Sequence, residues 1–479
     1  MTEFLLFLLA VGLILCFVDL QWGMYAILAA GCLQDPLRKT FADQPVYLSA
    51  VVMAFAAVTF AGARLRENLL TFGSIPGWRQ SMLVPMQLFI ALVVMQSLAT
   101  VAYTGSVVLA AIGVVAYLSP FPAFLMAYSF ASGISRVTTF LWVYVMLCAV
   151  MVSGVYFSWL GFDHEILRTV GEPLTIYLES TGAAMDLPAG FFRAPEVAAW
   201  HAAAGFCFSV VLGLSGRRFG AGWVAGTLAL FFIGAVLLTG RRKFLVEMTL
   251  FLPVLVLLLA RFQAGTSRLL WTMSAVTLVG LLLASVELIT GEKTLSLAEV
   301  ASRREQQPLA EELYERIVNL TIGSFRYVLD ANGFLGSGAG SGSQGAQHFG
   351  GGDELIGLAA EGGLGKVLAE LGVPGFLVLV WLGWCFASYL WKTLSQLPSG
   401  DHPGSQLTVG LAAFIVVNAA VFTSAHQVFG DIFVLLLIGS CLGFIVASKR
   451  FAVRAEDPRM AQEPFDPLHV HRTTPPSYR

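Results

Sequence analysis

Apolar segments of membrane-spanning length recur along almost the whole chain, and no other feature constrains its fold as tightly. A helix needs about 20 apolar residues to cross the hydrocarbon core of a bilayer. Segments near that length lie at 46–63, 81–101, 104–131, 137–160, 199–214, 219–239, 244–262, 269–289, 374–393, 406–424 and 430–448. Residues 4–33 are apolar almost throughout and read as two short helices or one hairpin. Pro120 and Pro122 predict that 104–131 is kinked or split in two. The total is about 12 to 14 spans. Lipid offers backbone amides and carbonyls no water, so such segments must be helices. The expected fold class is an all-α polytopic membrane protein. At 479 residues the chain is long enough for two or three soluble domains. Its charged fraction of 12%, about half that of a soluble fold, and its 57% hydrophobic residues exclude them.

The N-terminal MTEFLLFLLAVGLILCFVDL has no basic leader and no A-x-A step, so it reads as a first transmembrane helix rather than a removed signal peptide. All six cysteines fall in apolar segments without metal-ligand spacing and read as small buried hydrophobes. No basic patch interleaved with aromatics is present, so nucleic acid is not an expected partner. The lipid bilayer is.

The apolar pattern divides the chain into N-terminal transmembrane helices (1–162), an insertion (163–198), a second set of transmembrane helices (199–289), a large polar loop (290–371), C-terminal transmembrane helices (372–448) and a polar tail of disordered composition (449–479). Lysine and arginine in short loops set the orientation. Lys449, Arg450 and Arg454 follow the last span and place the C-terminus in the cytoplasm. Counting back, the turns with Arg261–Arg268 and with Arg217 and Arg218 are cytoplasmic as well. The insertion and the large loop then lie outside, which is the periplasm in a diderm bacterium. One short turn breaks the rule: Gly240-Arg241-Arg242-Lys243 puts three cations on the external side. An anionic ligand on that face is one reason for such a placement, and anchoring to lipid headgroups is another.

Four external elements carry candidate chemistry. They are GFFRAPEVAAW (190–200) with Arg193, the TGRRK turn, Arg316 with Arg326, and His348 with the carboxylates Asp353, Glu354, Glu361 and Glu370. The last two belong to the polar, glycine-dense stretch 311–375 between spans, where a membrane protein tends to place its chemistry. Arginine suits phosphate because its planar fork donates two parallel hydrogen bonds and stays charged. The glycines of GSGAGSGSQG (336–345) allow a backbone to approach a ligand and present amides to an anion, or serve as a plain flexible linker. No GK[ST] follows, so this is not a phosphate-binding P-loop. Arg316 also fits a solvated position on an amphipathic helix, His348 an incidental place in a glycine loop, and His426 a structural role near a span end.

Taken in order, these motifs resemble the O-antigen ligase and polymerase superfamily, bacterial membrane glycosyltransferases of polysaccharide assembly. GFFRAPEVAA (190–199) resembles the family's G-[ST]-F-x-x-P-N-x-x-A, with Glu196 in place of asparagine. LLTGRRKFLVEM (237–248) resembles L-L-T-G-S-R-G-x-L, with Arg242 in the arginine position and Arg241 in place of serine. RIVNLTIGSFRYVLDANGFLGSGAGS (316–341) resembles R-x-x-x-W-x-x-A-L-x-x-x-x-x-x-P-L-x-G-x-G, with Arg316, Gly336 and Gly338 matching. AELGVPGFLVLV (369–380) resembles the E-L-G-x-x-G-L that opens the next span. The likeness covers about residues 185–448. The ligases' histidine-asparagine pair has no match, since His348 is followed by Phe349, which favours a polymerase or exopolysaccharide-type relative.

The resemblance implies a GT-C-like helical bundle in a bacterial inner membrane, with its active site on the periplasmic face. It implies an inverting glycosyltransferase in O-antigen or exopolysaccharide biosynthesis. The donor would be an undecaprenyl-diphosphate-linked oligosaccharide and the acceptor a glycan or a lipid. No cofactor is implied, neither a nucleotide sugar nor an obligatory metal. Arg242 and Arg316 would bind the diphosphate, with Arg193 and Arg241 beside them, and His348 or Glu361 would act as the base. Two other functions fit a polytopic chain with external polar loops. One is a transporter or flippase of polyprenyl-linked or small anionic substrates, and the other is a non-catalytic subunit of a polysaccharide-export complex.

Overall fold

The computed structural model describes residues 2–41, 44–66, 69–171, 175–177, 184–216, 219–263, 324–343, 362–398, 402–424 and 427–456. The chain is an all-α polytopic membrane protein, and among the described residues nine helices are long and apolar enough to span a bilayer. They are α5 (Leu83–Thr104), the pair α6 (Val107–Leu118) and α7 (Pro120–Phe130) taken together, α8 (Ile134–Trp159), α9 (Pro195–Ser215), α10 (Phe219–Leu238), α11 (Arg242–Phe262), α13 (Gly363–Ser395), α14 (Pro403–Ser424) and α15 (Ile432–Glu456). Three further helices, α1 (Thr2–Val18), α2 (Leu20–Lys39) and α3 (Val51–Leu65), pack together at the N-terminus. Short pieces complete the set: α4 (Trp78–Ser81) and α12 (Ser324–Asn332), with a hairpin of β1 (Thr175–Tyr177) and β2 (Ala184–Asp186) in the insertion.

The expected hairpin of residues 4–33 is the pair α1 and α2, turned at Asp19, whose side chain accepts from the Gln21 amide (2.8 Å). The expected break in 104–131 falls at Ser119–Pro120. Proline lacks an amide and sits at the first position of α7, where none is needed. The predicted span at 269–289 lies outside the described residues.

Helix α9 is the centre of the bundle. Its sequence is apolar on every side, and Ala198, Ala199, Ala202, Ala203 and Ala204 are all fully buried. Small side chains let α8, α10, α11 and α14 approach it from different directions. A second close contact joins α7 and α15. Gly439 and Gly443, one turn apart, face Ala123 and Ala127, and a Cβ on either glycine would strike backbone of α7. Membrane helices gain no hydrophobic drive from association, so such close packing replaces it.

Candidate functional site

Up-and-down packing brings several segments to one end of the bundle. The last turn of α2, the connection 160–194, the start of α9, the α10–α11 turn and the start of α15 meet there. Buried charge holds them together. Lys39 ends α2 and donates its ammonium to the carbonyls of Ile166 (3.2 Å), Gly190 (2.8 Å) and Phe192 (2.6 Å). Asp35, one turn earlier, accepts from the Arg193 amide at 3.0 Å. The Arg193 guanidinium reaches Asp431 at 2.5 Å. Asp431 is 1% exposed and also accepts from the amides of Phe433 and Val434, which caps α15. Burial works to lower the Arg193 pKa, but Asp431 and Asp35 outweigh it and hold the guanidinium above its ordinary value.

Arg193 therefore has a carboxylate of its own, and acts on the site by fixing residues 189–196 in place. Gly190 makes the turn possible, with φ at +59° and its Cα against the backbone of α8 at Gly154 and Val155.

The α10–α11 turn lies against the start of α9. Gly240 adopts φ of +65°, Arg241 follows, and Arg242 opens α11. Arg241 forms an ion pair with Glu196 in the first turn of α9. Burial draws the Arg241 guanidinium below its ordinary value, with Glu196 pulling the other way. Below this pair a chain of polar groups crosses the bundle. Trp200 Nε1 donates to Asn418 Oδ1 (2.8 Å), and Asn418 Nδ2 donates to Glu247 Oε1 (3.0 Å). Glu247 is fully buried, and its Oε2 has no hydrogen-bond partner.

The glycine-rich stretch forms the opposite part of this end. Residues 334–343 dip between α5, α6 and the first half of α13. The amides of Ser337 and Gly338 donate to the carbonyls of Ala369 (2.7 Å) and Glu370 (3.1 Å), and the Val373 amide returns to Phe334 (2.9 Å). Thr100 Oγ1 donates to the Ala339 carbonyl at 2.7 Å, and Gln96 Nε2 to that of Leu335 at 2.7 Å. Helix α13 breaks at Gly372 (φ 67°, ψ −173°), just where the stretch crosses it. The half-helix before the break is buried and carries Lys366 and Glu370, whose Nζ and Oε1 lie 4.0 Å apart. Glu370 Oε1 also accepts from the Gly342 amide at 2.9 Å.

This corrects the expectation for the glycines. The amides of Ser337, Gly338, Ala339 and Gly342 are paired within the protein, so they do not present a cradle to an anion. The glycines are needed for contact: a Cβ on Gly338 or Gly340 would strike α5 or α6. Residues 338–341 are buried, so protein surrounds the irregular backbone there, while Phe334 and Leu335 are exposed.

Of the predicted site residues, Arg193, Arg241 and the helix start at Arg242 share one end of the bundle. Arg316, His348 and Glu361 lie outside the described residues, as do His426, Asp353 and Glu354. Helix α14 links the two parts of the site: Asn418 binds Glu247 beneath the TGRRK turn, and Phe422 packs on Gly363 at the start of α13. Sequence reasoning missed Asp35, Lys39, Asp431, Glu247 and Asn418. Their signal was present as polar residues within or beside apolar helices, but their partners are far away in sequence. No protein-family model matches the chain, and no curated protein matches it.

Proposed function

We propose that the chain is a membrane glycosyltransferase that transfers glycan from a polyprenyl-diphosphate-linked donor at the end of the bundle carrying Arg193, Arg241 and Arg242. One observation carries this reading. The first and second motifs depart from the family pattern at Phe191, Glu196, Arg241 and Lys243, and two of these, Glu196 and Arg241, are ion-paired with each other. A compensated pair of departures is what a related site with an altered lining would contain, and chance motif matches would have no reason to meet.

The charge distribution supports an external site. Lys449, Arg450 and Arg454 follow the last span and put the opposite end on the cytoplasmic side, although the site end also carries Arg38, Lys39, Arg168, Arg193, Arg241 and Lys366. In this reading the leaving diphosphate develops negative charge, which fixed cations stabilise without reorganising. Arg242 and Arg316 take that role. Glu196 holds Arg241, and the Asp35–Arg193–Asp431 cluster holds the backbone carrying Glu196. His348 or Glu361 accepts the proton of the acceptor hydroxyl.

A transporter is the second reading, favoured by the break of α13 at Gly372 beside the buried Lys366 and Glu370. Substitution separates the two. Arg242→Ala and Arg316→Ala are each expected to abolish polymer formation in cells while the protein stays at normal levels in the membrane. Full polymer in both variants would overturn the proposal.

A further inference from the structure

The other end of the bundle carries a group of cations that the proposed reaction does not use. Tyr389 and Lys392 are three residues apart on α13 and so share one helix face. Lys449 of α15 places its ammonium over the Tyr389 ring, 5.0 Å from the centroid. Lys392 lies within electrostatic reach of Lys449. The Tyr389 hydroxyl donates to the Pro76 carbonyl at 3.0 Å, and Trp78 meets the ring edge-on, so the ring is fixed. On a different face of α13, two residues on, Arg261 of α11 lies over the exposed Trp391, 5.7 Å from the ring centroid, and Trp391 packs edge-on against Phe262.

Among the described residues no carboxylate pairs with Arg261, Lys392 or Lys449. At the opposite end Lys39, Arg193, Arg241 and Lys366 have carbonyl or carboxylate acceptors, and at this end Arg66 and Arg450 have carbonyl acceptors. Two ammonium groups drawn together repel unless an anion sits between them. These groups stand at the ends of three helices long and apolar enough to span a bilayer, where such helices meet headgroups, and the aromatic rings beside them suit that interface. An exposed tryptophan covers acyl-chain surface while the cations meet a phosphate.

We propose that Lys392 and Lys449, held beside the Tyr389 ring, form a binding site for the phosphate of an anionic phospholipid headgroup. The site is independent of the reaction at the other end. It gives α13 and α15 a common ligand at the interface, although no carboxylate among the described residues joins them there.

The test uses the full-length chain in vesicles of equal parts phosphatidylglycerol and phosphatidylcholine. Spin-labelled versions of each lipid report the fraction immobilised at the protein. An excess of immobilised phosphatidylglycerol is expected, falling by about fivefold for each lysine replaced in Lys392→Gln, Lys449→Gln and the double variant. Glu165→Gln, at the opposite end, should leave it unchanged. Equal thermal stability of parent and double variant in neutral detergent establishes that the fold is intact. Where the double variant is unstable, Lys392→Arg and Lys449→Arg replace it and must keep the preference. An undiminished excess in the glutamine variants overturns the proposal. Displacement of phosphatidylglycerol by an equal concentration of inorganic phosphate would also overturn it, by assigning the site to a soluble anion.

Discussion

Single charges at the Arg193 end differ in what their loss should cost. Asp431 is buried, caps α15 and neutralises Arg193. Removing one partner of such a pair strands the other, at a cost of about 3–5 kcal/mol. Arg193→Ala and Asp431→Ala are therefore expected to lower thermal stability in detergent strongly. Asp431→Asn, which keeps the cap, should cost less than Asp431→Ala; equal losses would show that the cap contributes nothing. Glu196 and Arg241 are different, with side chains 25% and 20% exposed, and their pair contributes about 1 kcal/mol at most. Their value lies in the charge they place at the site. Arg241→Ser alone leaves an unmatched carboxylate where an anionic donor would bind and should reduce polymer formation. Adding Glu196→Asn, which recreates the family pattern at both positions, should restore it. A double variant no better than the single one would break the link between this pair and the resemblance.

At the scale of elements, the seat of the glycine-rich stretch is the most exacting part of the structure. Gly338 has φ of +101° and Gly372 φ of +67°, and a Cβ at either would collide with packed neighbours. Gly338→Ala and Gly372→Ala combine strain with overpacking, each worth about 1–3 kcal/mol. Both are expected to release the stretch from α5 and α13, read as new protease cleavage near 334–343 without loss of the bundle. Gly443→Ala should instead loosen α7 from α15 and lower the unfolding temperature of the whole chain. What could be read from sequence follows from the range of the forces involved. Apolar length is local, so α5 to α11 and α13 to α15 were visible, as was the break that Pro120 imposes. The seat of the glycines was not. Its partners, Gln96, Thr100 and Gly113, lie more than 200 residues upstream, and glycine reads alike whether it serves a ligand or a helix crossing. Arg193 stood out as a cation, but nothing near it in sequence announced Asp431, 238 positions away.

For the whole molecule, the two ends of the bundle carry opposite designs. One holds matched charges around an ordered wall, and the other holds cations and aromatic rings with few acids. The proposed sidedness can be tested directly. An impermeant thiol reagent is expected to label Glu165→Cys from the external side of intact cells and Gly216→Cys only after the membrane is opened; the reverse pattern would invert the assigned orientation. The measurement closest to the central claim is reconstitution of the purified chain with an undecaprenyl-diphosphate-linked oligosaccharide and separation of the products by length. Longer glycans, or one block moved to a second acceptor, are expected together with free undecaprenyl diphosphate, and neither product with Arg242→Ala. Donor that crosses the bilayer with its glycan unchanged, and no diphosphate released, would contradict it.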